Sequence, residues 1–280
     1  MNTIALYDAV CLKASRNTTS SYSTSFSLGI RSLDRSLRDP IHAIYGFVRF
    51  ADEIVDTFHG HDKAALLARF REDTDRAISE GISLNPILHS FQRVVNRYGI
   101  EPYLYNTFLD SMAMDLTRSD HDRRSYETYI LGSAEVVGLM CLRVFCNGDD
   151  VLYHKLKPSA MKLGSAFQKV NFLRDLKDDH QNLGRCYFPG IDVRSMDRVT
   201  KQRIEADIQA DFDAALMGIR QLPRGSRFGV YMAYVYYVSL FNKIKALPCD
   251  RILTERIRVR NRRKIALLTT SYLRHSFGLL

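Results

Sequence analysis

The chain has 280 residues and is 46% hydrophobic, enough to bury a sizeable core, and no Gly/Ser-rich linker or shift in composition divides it; one domain over 1–280 is expected. A net charge of +9 keeps an anionic partner in view. The five cysteines (Cys11, Cys141, Cys146, Cys186, Cys249) form no CxxC, which excludes a zinc ribbon and suits a reducing cytoplasm.

The opening Met1–Asp8 lacks a basic segment followed by an apolar run, so it does not read as a secretory signal. Helical periodicity then recurs at about 3–15, 38–58, 62–80, 86–98, 102–117, 126–146, 159–180, 197–221, 227–246 and 252–275. Asn85-Pro86 supplies a cap and a first-turn proline, Ser125 is expected to cap the next helix but one, and Gly81, Gly99 and Gly148 read as stops. Val230–Val238 is rich in β-formers, yet its length and neighbours favour a buried helix. No apolar run approaches the roughly 20 residues that span a bilayer; Gly132–Phe145 contains Glu135 and Arg143. The fold class is all-α.

Two aspartate pairs, Asp52 with Asp56 and Asp175 with Asp179, lie four residues apart within these helices, so each pair shares a face. Like charges at that spacing cost a helix roughly 0.2–0.5 kcal/mol, and more in dry surroundings. A single pair is ordinarily a solvated face. Here each is extended by polar groups set among aromatics: Tyr45 and Arg49 before the first pair, Gln168 and Asn171 before the second. A shared metal cluster follows, and carboxylates with an amide oxygen suit Mg²⁺, whose shell is usually completed by water and substrate phosphate. A diphosphate substrate is implied. An EF-hand is excluded, because neither segment has its glycine or its alternating ligands.

Ser23-x-Ser25-Phe26, Tyr45-x-x-x-Arg49-x-x-Asp52-x-x-x-Asp56, Gln168-x-x-Asn171-x-x-Arg174-Asp175-x-x-x-Asp179 and Gly184-Arg185-x-Tyr187-Phe188-Pro189 resemble, in order, the signatures of the squalene and phytoene synthase family. Bacterial phytoene synthases are the members it is most similar to. The resemblance implies a single-domain, isoprenoid-synthase-type helical bundle with a central cavity. It implies condensation of two geranylgeranyl diphosphates through a cyclopropylcarbinyl diphosphate to phytoene, with Mg²⁺ (Mn²⁺ as an alternative), final proton loss and no NADPH. The metal ligands would be Asp52, Asp56, Asn171, Asp175 and Asp179. Arg49, Arg174 and Arg185 would assist the leaving diphosphate, although a salt bridge to a neighbouring aspartate is an equal role for the first two.

Aromatic faces attract a carbocation without trapping it, which selects Phe26, Tyr45 and Tyr129, with Tyr22 behind them. Ser23 and Ser25 are candidates to bind diphosphate or to cap the backbone, and Gln168 and Arg258 to reach substrate. Ile30, with Ala134, Val137, Gly138, Leu163 and Gly164, would leave room for a C20 chain; close helix packing is the competing account of the small residues. Seven basic residues from Arg251 to Lys264 face Glu255 alone, which suggests a membrane-facing patch. Nucleic acid is disfavoured, since no recognised binding motif occurs. A cytoplasmic enzyme peripheral to the inner membrane face is expected, with downstream carotenoid enzymes as partners. The other readings are a C15-using dehydrosqualene or squalene synthase, and a non-catalytic scaffold relative, against which the intact aspartates argue.

Overall fold

Apolar residues at three- and four-residue steps give almost every helix one buried face, and these faces set the assembly. The computed structural model describes residues 3–117, 120–182, 187–190, 197–254 and 257. The helices are α1 (Thr3–Tyr22), α2 (Thr24–Arg31), α3 (Arg35–Asp56), α4 (Lys63–Glu80), α5 (Pro86–Tyr98), α6 (Pro102–Thr117) and α7 (Arg123–Ile130). A π turn, Leu131–Glu135, joins α7 to α8 (Val136–Cys146). There follow α9 (Asp150–Asn182), α10 (Arg198–Ile219), α11 (Arg224–Lys245) and α12 (Cys249–Thr254). No strand occurs among the described residues.

Local chemistry explains the boundaries. Asn85 accepts from the amides of Ile87 at 3.0 Å and Leu88 at 3.4 Å, with Pro86 in the first turn. Gly81 and Gly99 end their helices in the left-handed conformation, at φ 71° and 61°. Asn147, at φ 46°, caps α8 just before Gly148.

Four expectations are corrected. Asp122, not Ser125, caps α7, accepting from the Ser125 amide at 2.7 Å. The helix expected over 126–146 is interrupted by the π turn, which pattern alone does not register. α1 runs past residue 15 to Tyr22 although its Thr- and Ser-rich end has low helix propensity; Thr18, Thr19 and Ser20 donate to carbonyls of their own helix and Thr19 is buried. The helix expected at about 159–180 begins earlier, at Asp150, and runs through Pro158 to Asn182. Most of the helix expected over 252–275 lies outside the described residues.

One apolar cluster gathers around Phe47 and Phe91, whose rings stack at 3.9 Å, and a second around Phe212 and Phe241. Lys169 is buried between α9 and α10, donating to Asp207 at 2.5 Å and to Asp211 at 2.6 Å, while Lys162 reaches Asp211 at 2.7 Å. Residues Arg123–Cys146 are long and apolar enough to qualify as a membrane span by composition. They pack instead as a core element against α3, α6 and α9, and Arg143 pairs with Glu101 and Asp150.

The π turn meets α9 very closely: a Cβ on Gly164 would stand 2.6 Å from the Ala134 carbonyl oxygen. Overpacking commonly costs about 1–3 kcal/mol. Gly164→Ala should therefore lower the melting temperature by several degrees in a thermal unfolding scan, and an unchanged temperature would show that the helices separate freely.

His42 is half-buried on α3, and its Nδ1 has no hydrogen-bond partner among the described residues. Burial lowers its pKa to about 4, opposed by Asp39 and helped by Arg16, Arg31 and Arg38. A neutral imidazole in the fold and a normal one in the unfolded chain mean that the unfolded state takes the proton first. Stability should fall as pH drops from 6.5 toward about 4. His42→Gln should remove that part of the slope when denaturation midpoints are compared across the window.

Candidate active site

Helices α2, α3, α8, α9, α10 and α11, with the π turn, enclose an apolar cavity of about 320 Å³. Along α9 it extends from Asn171 to Leu156, 15 residues or about 22 Å of helix. At one end stand Phe26, Tyr45, Gln168, Asn171 and Tyr237; Leu33, Cys141, Leu142, Phe145, Leu156 and Leu222 lie along its deeper walls. Of the residues expected from the sequence, Phe26, Ile30, Tyr45, Ala134, Val137, Gly138, Leu163, Gly164, Gln168 and Asn171 all line it. Both accounts of the glycines hold, because Gly138 and Gly164 line the cavity and also sit against backbone of the facing helix or turn.

The polar residues continue two of these walls. Beyond Tyr45 on α3 come Arg49, Asp52 and Asp56; beyond Asn171 on α9 come Arg174, Asp175 and Asp179. Arg49 Nη1 donates to Asp52 at 2.6 Å, its other terminus bonds Glu53, and its guanidinium lies 4.3 Å from the Tyr22 ring centre. Arg174 Nε donates to both Asp175 oxygens, at 3.0 and 3.1 Å. The salt-bridge role is thus present for both arginines, and it holds each first aspartate in a fixed orientation. The walls communicate: the Tyr45 hydroxyl lies in the field of Arg49, Asp52 and Tyr237, and the Tyr237 hydroxyl in that of Arg174 and Asp175.

Burial pushes the Tyr45 phenol up to about 12, against the lowering effect of Arg49, so it remains a protonated donor at neutral pH. Ser23 caps α2, accepting from the Phe26 amide at 3.1 Å, and its side chain lies near the Tyr45 hydroxyl. Neither Ser23, the half-buried Ser25 nor the exposed Tyr22 lines the cavity. Tyr129 is likewise placed elsewhere. Its ring is buried beside Tyr187 at 5.1 Å, its hydroxyl donates to Asp115 at 2.7 Å, and the Tyr187 hydroxyl donates to the same carboxylate at 3.2 Å, which ties Tyr187 to α6. The Asp179 side chain, Arg185 and Arg258 lie outside the described residues.

Sequence reasoning missed Tyr237 and Phe167. Their rings stack at 3.9 Å in the cavity wall, Tyr237 meets Phe26 edge-on at 6.5 Å, and its hydroxyl donates to Asn171 Oδ1 at 3.2 Å. A tyrosine in a stretch read as buried needs a partner for its hydroxyl, and that signal was available.

Among the described residues no three acidic, histidine or cysteine side chains converge on one point able to hold an ion. The donors at the polar end are all oxygens: partly exposed carboxylates, 34% for Asp52 and 18% for Asp175, and the Asn171 amide. That chemistry fits a hard cation shared with an anionic ligand, rather than a closed protein cage.

A family model for squalene/phytoene synthase matches residues 19–263. The chain is 27% identical over 253 residues to the phytoene synthase of Pseudescherichia vulneris, covering 80% of this chain and 79% of that protein. It is 28% identical over 173 residues to the presqualene diphosphate synthase of Rhodopseudomonas palustris, covering 59% and 58%. Its fold matches the crystal structure of a dehydrosqualene synthase with a TM-score of 0.84 at 19% identity, over 96% of this chain and 98% of that one. The acidic helix faces at the end of a deep apolar cavity and the match over most of the length agree: the chain belongs to the squalene/phytoene synthase family of prenyltransferases.

Proposed function

We propose that this protein condenses two geranylgeranyl diphosphates head to head into phytoene through a cyclopropylcarbinyl diphosphate, releasing two diphosphates. The observation that carries the reading is the joining of a long apolar cavity to two helix faces bearing aspartates and arginines. Such a site suits a ligand with a hydrocarbon tail and an anionic head. Asp52, Asp56, Asn171, Asp175 and Asp179 would hold Mg²⁺, which when bound supplies charge stabilisation to the departing diphosphate.

The chain's own residues do the rest. Arg49 and Arg174 orient the carboxylates and present positive charge to the leaving group. Phe26, Tyr45 and Tyr237 offer ring faces to the allylic cation while the apolar walls exclude water. Tyr237 also steadies the Asn171 amide. Proton loss, with no nicotinamide, ends the reaction. Buried Ile30 on the wall, in place of a larger side chain, supports the C20 substrate, and each buried methylene contributes about 0.8 kcal/mol. The product is a long hydrocarbon, so the enzyme works in the cytoplasm against the inner membrane face and passes phytoene to carotenoid-modifying enzymes. The presqualene diphosphate relatives at similar identity favour the second reading, a C15 substrate.

Purified protein with Mg²⁺ should convert geranylgeranyl diphosphate to phytoene with no nicotinamide present. Product from farnesyl diphosphate alone, or an NADPH requirement, would replace this reading with the second. Asp52→Asn and Asp175→Asn should each lower turnover by on the order of 100-fold with an unaltered melting curve; full activity in both would defeat the metal-cluster reading.

Ile30→Phe adds bulk to a filled wall. At a cost of about 1–3 kcal/mol it should cut relative use of the C20 substrate by up to ~100-fold while C15 use is spared. Measuring kcat/KM for both chain lengths decides, since an unchanged ratio would remove Ile30 from chain-length selection.

A further inference from the structure

Two corners of the fold carry the same arginine spacing. Arg31-x-Leu33-x-Arg35-x-x-Arg38 links α2 to α3, and Arg220-x-Leu222-x-Arg224-x-x-Arg227 links α10 to α11. The corners touch, for the Asp34 amide donates to the Gly225 carbonyl at 2.9 Å. Leu33 and Leu222, at equivalent places, are both buried and both line the cavity. From this junction α3 runs along the cavity to Asp52, 17 residues or about 26 Å beyond Arg35. The paired corners therefore sit at the opposite end from the aspartates.

Structural roles absorb four of the six arginines. Arg38 Nε donates to the Leu33 carbonyl at 2.8 Å, and Arg227 donates to the Leu222 carbonyl from Nε at 2.9 Å and Nη2 at 2.7 Å, the same clasp made twice. Arg31, in the last turn of α2, and Arg220, capping α10, stand where a cation complements the helix dipole. Arg35 and Arg224 have no such account. Both are exposed, and neither makes an ion pair among the described residues. Each opens a helix whose cap makes no side-chain hydrogen bond; the one carboxylate at the two starts is that of Asp34, which caps α3 and lies against Gly225 of α11, so two arginine charges at the positive ends of two dipoles share a single acid.

The corners contain one acid, Asp34, with Asp39 just beyond the first. Arg16 engages Asp39 at 2.7 Å, which leaves Asp34 against six arginines. This arrangement costs the isolated protein stability and is relieved when anions lie against it. Charges spread over two adjoining corners match a surface of many phosphates better than one small anion. The apolar cavity directly beneath points to a surface with a hydrocarbon interior.

We infer that the paired arginine corners dock on an anionic phospholipid bilayer and set the end of the cavity away from the aspartates against it. The charge argument is independent of the substrate proposed above.

The test is flotation of the full chain with phosphatidylcholine vesicles, with and without phosphatidylglycerol. An arginine close to an anionic surface contributes about fivefold in partitioning, so Arg35→Gln/Arg224→Gln should weaken binding to phosphatidylglycerol vesicles about 30-fold. The variant should melt no lower than the parent and turn over detergent-dispersed substrate equally well. Parent binding should weaken with salt, with inorganic phosphate competing no better than chloride at equal ionic strength. Equal vesicle binding by parent and variant, as when the Arg251–Lys264 run carries it, overturns the inference. So does equal binding without phosphatidylglycerol, or a loss in the variant of single-stranded RNA binding while vesicle binding stays intact.

Discussion

The contact between α9 and the π turn is the constraint on which the rest depends. Gly164 lies so close to the Ala134 carbonyl that the helices meet backbone to backbone. This fixes one wall of the cavity, because Gly164, Gln168 and Asn171 share a helix with Arg174 and Asp175. A wall that is apolar along most of its length and polar at its end becomes one rigid body. The buried Lys169–Asp211 pair binds the same helix to α10, and removing one partner of such a pair commonly costs about 3–5 kcal/mol. α9 is thereby held from both sides, and its polar residues need not be ordered when a ligand arrives.

The polar end has its own internal order. Arg49 lies over Tyr22 and engages Asp52, Arg174 engages Asp175, and Tyr237 engages Asn171. Like-charged aspartates four residues apart repel, and a bound guanidinium offsets part of that repulsion before any cation is present. The aromatic group of Phe26, Tyr45, Phe167 and Tyr237 sits between this charged layer and the hydrocarbon walls. Ring faces provide a graded passage from full charge to none, which an aliphatic layer would not.

The all-helical fold was legible in the sequence because it rests on periodicity, and so were the acidic faces, because spacing on a helix fixes which residues align. Tyr45, Gln168 and Asn171 share those faces, whereas Phe26 was picked out by the family resemblance and Ile30 as the residue one helical turn beyond it; all five line the cavity. The π turn was not legible: one extra residue changes no hydrophobic pattern, only phase. The bond between Tyr129 and Asp115 was not legible, because Asp115 comes from α6 and no local rule pairs them. Tyr237 was hidden by the opposite effect. Its neighbours in α11 are so apolar that the stretch reads as plain core, and only α9 packed against it reveals a donor facing an acceptor.

α3 is charged against its own dipole at both ends. After the single acid at its cap, Asp34, it opens on Arg35 and Arg38, where the dipole is positive, and it closes on Asp52, Glu53 and Asp56, where it is negative. Each misplaced charge costs about 0.3–1 kcal/mol when it stands alone. A helix selected for stability would carry the reverse order. The inversion makes sense if each end is completed from outside, by a cation shared with a diphosphate at one end and by anionic headgroups at the other. Local rules of stability are broken where function requires it, and the cost is met by packing elsewhere. In α3 that packing is the buried face of Ile44, Phe47, Ala51 and Val55, which lies between the two inverted ends and keeps the helix intact.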